Sequence, residues 1–310
     1  MKILLATDGS TFSRAAGNLV SHLPWPSTRE LIVLNVIDKL ELLPPTDTSV
    51  QDESHHAQQQ WHQALQQDAQ QLLAREAERF TAMGWTPKPL LRAGHAAHEI
   101  VSVAEEMGTD VIVMGSRGMG GVQRFLLGSV SEQVMTYAPC SVLIARRPHD
   151  HEHSSEGEDP VRPEKSDSPL RLLLAYDGSP TADAAVETIA SLPLDDHTHI
   201  LVTTVMTLIT YYRMDILQTM NASWQAATQA AQDNLEHVAQ RLRKATPNVT
   251  VQVRESDDTS QALLDAAQDF KAHLIVVGYK GKSGIKRLLL GSVANRLVHH
   301  APCSVWVMRG

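Results

Sequence analysis

The chain has 310 residues, 43% of them apolar and 20% charged, a globular balance that excludes wholesale disorder and allows roughly two domains. Its formal charge is −8, and the 148–169 stretch alone, with seven acids and two bases, supplies −5 of it. The remainder is near neutral, without the basic face that nucleic acid requires. Two cysteines exclude a disulfide scaffold, and no apolar run has the length of a membrane span or signal core. A cytoplasmic protein with neither membrane nor nucleic-acid partner is expected.

Lys2–Thr7 is an unbroken apolar run of the kind buried in a parallel sheet. Asp8-Gly9-Ser10 turns the chain into a helix ending near His22, with Ser10 as its N-cap. A second strand follows at Leu31–Ile37. After Pro44-Pro45 comes a long helix from about Glu53 to Met83, whose many glutamines suit a solvated face. Trp85–Arg92 is predicted as a third strand and Ala96–Met107 as a helix, with Ile100, Val103, Ala104 and Met107 on its buried stripe. Val111–Gly115 is the fourth strand, Gly128–Tyr137 a helix stopped by Pro139, and Ser141–Ala145 the fifth strand.

The series then repeats. LLATDGSTFSRAA from Leu4 matches LLLAYDGSPTADAA from Leu172, and 17 of the 35 residues from Ile112 recur without a gap from Ile275. The shift is 169 between Asp8 and Asp177 but 163 between Gly115 and Gly278, so the second copy is shorter in its middle. Leu263, Ala266, Ala267 and Phe270 repeat the buried stripe, and Cys140 and Cys303 fall at equivalent positions, where burial of both is expected. Residues 1–147 and 170–310 are read as two domains, and 148–169 as an acidic flexible linker. His149, His151 and His153 alternate in that linker, a poor metal site without a folded frame.

Five alternations of strand and helix give each copy a doubly wound, mostly parallel five-stranded sheet. Such sheets bind ligands beyond the carboxyl ends of strands where strand order reverses. If the first and fourth strands are neighbours, Asp8-Gly9-Ser10 and the loop from Gly115 line one crevice. That loop reads Gly115-Ser116-Arg117-Gly118, nine residues, then Gly128-Ser129; the second copy has Gly278-Tyr279-Lys280-Gly281, nine residues, then Gly291-Ser292. Glycines let backbone turn and approach a ligand, and the following helix N-terminus favours an anion. The pattern describes a phosphate cradle, although it is neither a Walker loop nor a G-x-G-x-x-G fingerprint.

The spacing G-x2-G-x9-G-S, the Asp-Gly-Ser after the first strand and the ending Ala-Pro-Cys-Ser-Val together resemble the universal stress protein family, in its ATP-binding branch. The resemblance covers nearly the whole chain outside the linker, twice. It implies that Asp8 contacts a nucleoside, that Val36 lies against adenine, and that Gly115, Gly118, Gly128, Ser129 and Val130 surround the phosphates. Ala6, Thr7, Met114 and Arg117 are counted with the same site. In the second copy the counterparts are Asp177, Val205, Gly278, Gly281, Gly291, Ser292 and Val293. Magnesium or manganese would be held through the phosphates. The resemblance also implies a pseudo-dimer of the two copies through Ser141–Ala145 and Ser304–Met308, with a homodimer of whole chains left open. Two positions depart from the pattern: Gly94 aligns with Asp257, and Thr7 with the bulky Tyr176, a ring that stacks on a base or blocks it. The second loop is richer in cations (Lys280, Lys282, Lys286, Arg287) than the first (Arg117, Arg124).

Catalytic groupings are sparse. There is no G-x-S-x-G, H-E-x-x-H or paired CxxC, and His95 and His98 have no evident nucleophile to activate. His299 and His300 end a helix, where a cation suits the dipole. The expected function is therefore an ATP-binding, nucleotide-responsive stress protein that is not an enzyme, or is at most a very slow ATPase. A nucleotide-free scaffold and an ATP-consuming enzyme of related fold are the alternatives.

Overall fold

The computed structural model describes residues 1–38, 51–118, 127–146, 169–207, 214–281 and 290–309, and the side chains of all these except 38, 51–59 and 214–222. The chain divides into two compact units, one over most of 1–145 and one over 146–310.

The first unit runs β1 (Lys2–Ala6), α1 (Thr11–His22), β2 (Glu30–Asp38), α2 (Gln51–Ala82), β3 (Pro87–Gly94), α3 (Ala96–Met107), β4 (Val111–Gly115), α4 (Ser129–Tyr137) and β5 (Ser141–Ala145). Its strands pair in parallel in the order β3-β2-β1-β4-β5. Ile3, Leu4 and Leu5 of β1 and Val111, Ile112 and Val113 of β4 are wholly buried, because helices cover both faces. Right-handed crossovers put α1 and α2 on one face and α3 and α4 on the other. Arg79 of α2 donates to Asn18 Oδ1 of α1 at 2.8 Å and pairs with the buried Glu76 at 3.1 Å. On α2, Ala69, Leu73 and Phe80 face inward while Gln63, Gln66, Gln67, Gln70 and Gln71 are exposed, the expected solvated face.

The second unit repeats this with β6 (Arg171–Ala175), α5 (Pro180–Ser191), β7 (His199–Thr207), α6 (Met214–Leu242), β8 (Asn248–Ser256), α7 (Thr259–Phe270), β9 (Leu274–Gly278), α8 (Ser292–His300) and β10 (Ser304–Met308), in the parallel order β10-β9-β6-β7-β8. No helix among the described residues is long and apolar enough to cross a membrane.

Several sequence expectations need correction. The third strand is displaced to Pro87–Gly94, and the first ends at Ala6. Met107 closes the α3 stripe but is 38% exposed, since Gly108, in the left-handed region at φ 58°, ends the helix directly behind it. Phe270 is likewise only half-buried, and so is Cys140, which lies 3.5 Å from Thr109 Oγ1. Cys303 is buried as expected, and burial pushes its thiol up to about 12. The ladder pairs Asp38 with Gly94 and Thr207 with Ser256, so Gly94 corresponds to Ser256 rather than Asp257. The second copy carries one extra residue between its third strand and the helix that follows. The linker except its last residue, together with Arg124, Lys282, Lys286 and Arg287, lies outside the described residues.

Candidate functional site

β1 and β4 are neighbours, with Ile3, Leu4 and Leu5 beside Val111, Ile112 and Val113. Strand order reverses between them, so the segments leaving their carboxyl ends face a common crevice. The first is an Asx turn: Asp8 Oδ1 accepts from Ser10 N at 3.0 Å, with Gly9 between them at φ 78°. Ser10 then caps α1, its hydroxyl accepting from Ser13 N at 3.1 Å. The second copy builds the same turn, with Asp177 Oδ1 accepting from Ser179 N at 3.0 Å and Ser179 Oγ from Ala182 N at 3.2 Å.

The glycines of the loop after β4 serve different ends. A Cβ on Gly115 would stand 2.6 Å from the Phe12 carbonyl carbon, so glycine there lets α1 lie against β4. Gly278 does the same beneath Thr181, whose Oγ1 such a Cβ would strike. Gly118 instead faces the Asx turn, where a Cβ would come within 2.8 Å of Asp8 Oδ2; at Gly281 the distance to Asp177 Oδ2 is 2.7 Å. The loop and the turn therefore meet at an aspartate oxygen in both copies.

The α4 helix opens on Gly128 and α8 on Gly291, neither with a side-chain cap, whereas α1, α5 and α7 are capped by Ser10, Ser179 and Asp258. Gly128 N donates to the Ser116 carbonyl at 2.8 Å and Gly291 N to that of Tyr279 at 2.9 Å, which holds the helix start against the loop. Ser131 Oγ ties α4 to the Gly115 carbonyl at 2.9 Å. The amides of the first helical turn lack partners within the helix and favour an anion. Ser129 and Ser292 are exposed there, and Val130 and Val293 half-buried.

The remaining sequence-chosen residues lie around this crevice. Ala6 and Met114 are buried at strand ends, and Arg117 lies over the Phe12 ring, 5.6 Å from its centroid. Thr7 is buried, its hydroxyl donating to Ser13 Oγ at 3.2 Å and accepting from Gly9 N at 3.3 Å. Tyr176, its counterpart, is tied to α5. It is 7% exposed, and its hydroxyl donates to Asp183 Oδ1 of α5 at 2.9 Å. Burial, then that carboxylate, pushes the phenol up to about 12.

Val36 and Val205 are half-buried near the carboxyl ends of β2 and β7. The β1 ladder ends at Ala6 and Leu34, with Thr7 N donating to Leu34 O at 2.9 Å. Because backbone groups alternate sides along a strand, Val36 presents its N–H and C=O toward β1 just past the end of that pairing. A donor and an acceptor on one residue suit the edge of a purine base. The residue that sequence reasoning missed is Asn35, 7% exposed, whose Nδ2 donates to the Thr7 carbonyl at 2.7 Å. An amide inside the run LIVLNVI was the available signal, since a buried polar side chain needs a partner.

His95 occupies the α3 N-cap without a side-chain bond there, and His98 lies 3.7 Å from Glu99. No group of three or more metal-ligating side chains occurs among the described residues.

The model of the universal stress protein family matches residues 1–146 and again 170–309. Universal stress protein YxiE of Bacillus subtilis is 31% identical over 145 residues, 47% of this chain and 98% of that protein. A universal stress protein of Mycolicibacterium smegmatis is 28% identical over 227 residues, 73% of this chain and 70% of the relative. In fold, the chain is similar to a universal stress protein from Archaeoglobus fulgidus, with TM-score 0.61 and 22% identity over 99% of this chain and 98% of that one. The chain belongs to the universal stress protein family, as a tandem of two such domains.

Proposed function

We propose that each copy is a site for ATP, and that the chain is a nucleotide-responsive stress protein of the cytoplasm rather than an enzyme. The observation that carries this reading is the meeting of three features at one switch point: an uncapped helix N-terminus, a glycine packed on an aspartate oxygen, and unpaired backbone at Val36. The N–H groups at the start of α4 and α8 would hold the phosphates, Ser129 and Ser292 adding hydroxyls. Asp8 and Asp177 would accept from ribose hydroxyls, and Val36 and Val205 would meet the adenine edge. Magnesium would be carried by the phosphate oxygens. Bound nucleotide then acts by shifting the population of a conformation or a partner complex.

The test is calorimetric titration of the whole chain with ATP and magnesium, beside Gly128→Val and Gly291→Val, each checked for folding by circular dichroism. Loss of one equivalent per variant is the expected result. A folded wild type that takes up none at millimolar ATP ends the reading, and steady phosphate release at several turnovers per minute ends its non-enzymatic part.

A further inference from the structure

Resting on the nucleotide reading above, we propose that Asn35 is a positioning residue that makes the first copy the tighter of the two sites. In a parallel ladder, a residue that donates its N–H to one carbonyl accepts at its own carbonyl from the residue two further along the neighbouring strand. Thr7 donates to Leu34 O at 2.9 Å, so its carbonyl would ordinarily take the Val36 N–H. The Asn35 amide stands in that place, at 2.7 Å and buried. The Asn35 amide takes one of the two lone pairs of that carbonyl and competes with the Val36 N–H for it, which favours an N–H left open to a ligand. The same bond fixes the peptide that leads into Asp8.

The second copy lacks this device. Tyr176 N donates to Thr203 O at 2.9 Å and the ladder ends at Ala175 and Thr203, as in the first copy. Thr204 stands where Asn35 would, and no side chain among the described residues donates to the Tyr176 carbonyl. That carbonyl remains open to the Val205 N–H, and every such closure competes with a ligand. A further difference acts in the same direction: Asp177 is exposed where Asp8 is half-buried, so water competes more strongly for it.

The prediction is two unequal binding steps, the first copy tighter by about tenfold, the factor that one net hydrogen bond gives. Calorimetry with ATP and magnesium on Gly291→Val reports the first copy alone, and on Gly128→Val the second. Adding Asn35→Thr should weaken the first copy by about tenfold, while Thr204→Asn should tighten the second by several-fold. Melting temperatures separate loss of binding from loss of folding, and Thr204→Asn carries the test if Asn35→Thr does not fold. Equal affinities in the two copies, or a folded Thr204→Asn without tighter binding, overturn the role of Asn35 while leaving the nucleotide reading in place. Absence of binding by folded wild type overturns that reading, and the proposal with it.

Discussion

Asp8 Oδ2 stands 2.8 Å from the point where a Cβ on Gly118 would lie, while Asp8 Oδ1 accepts from Ser10 N at 3.0 Å. One carboxylate thus closes the Asx turn and sets how near the loop after β4 comes. Gly118→Ala forces that carboxylate to rotate and strains its bond to Ser10 N, at a cost to the fold of about 1 kcal/mol. The first copy should then lose roughly tenfold in ATP affinity, on the order of one charge-assisted hydrogen bond, with only a small fall in melting temperature. Titration on a Gly291→Val background, which isolates the first copy, checks this. An unchanged affinity would remove Asp8 from the site.

Gly115→Ala should behave in the opposite way. Its Cβ would meet backbone, the Phe12 carbonyl carbon at 2.6 Å and oxygen at 2.8 Å, and helix α1 must move to admit it. Overpacking of this kind costs about 1–3 kcal/mol. Urea unfolding should show that loss without ATP present. A variant as stable as wild type would mean that α1 yields more easily than its packing on β4 suggests.

The contrast between these glycines marks how far the sequence could be read. The repeat and the strand–helix alternation placed most elements within a residue or two, because buried parallel strands are continuous apolar runs and Ser10 and Ser179 cap in the expected way. The cradle was legible as spacing, since Gly128 and Gly291 recur before a serine. Which glycine serves packing and which faces the aspartate was not, because that depends on how α1 crosses β4. Asn35 was passed over for a related reason: its partner, the Thr7 carbonyl, belongs to a neighbouring strand. The tie of Tyr176 to Asp183 was likewise not legible, because sequence shows a ring's size but not which partner its hydroxyl finds.

The two cysteines should differ in reactivity. Cys303 is buried and its thiol is pushed up to about 12, so almost no thiolate forms near neutral pH, whereas Cys140 is half-exposed. A chromogenic disulfide reagent should titrate one thiol in the native chain and the second only in denaturant. Alkylation followed by peptide mapping would assign the fast site to Cys140. Rapid native labelling at Cys303 would show that the end of α8 opens far more readily than its packing indicates.

Tyr176 gives the molecule a stability loss at alkaline pH with a traceable source. Its phenol is pushed from the ordinary value near 10 to about 12, first by burial and then by the hydrogen bond to Asp183. Between those values the folded chain keeps a proton that the unfolded chain gives up, so stability is full below pH 10 and falls as pH rises toward 12. Cys303 acts in the same direction, beginning near pH 9. Tyr176→Phe removes the phenol's share and leaves Asp183 with Arg241, 3.8 Å away. At pH 7 the variant should be less stable by about 1 kcal/mol, the net worth of one hydrogen bond. Between pH 10 and 11.5 its urea midpoint should fall less steeply than that of wild type, and adding Cys303→Ala should flatten the curve from pH 9 upward. Parallel curves for wild type and Tyr176→Phe would mean that the phenol ionises as freely in the folded chain as in the unfolded one, and that Asp183 does not hold it.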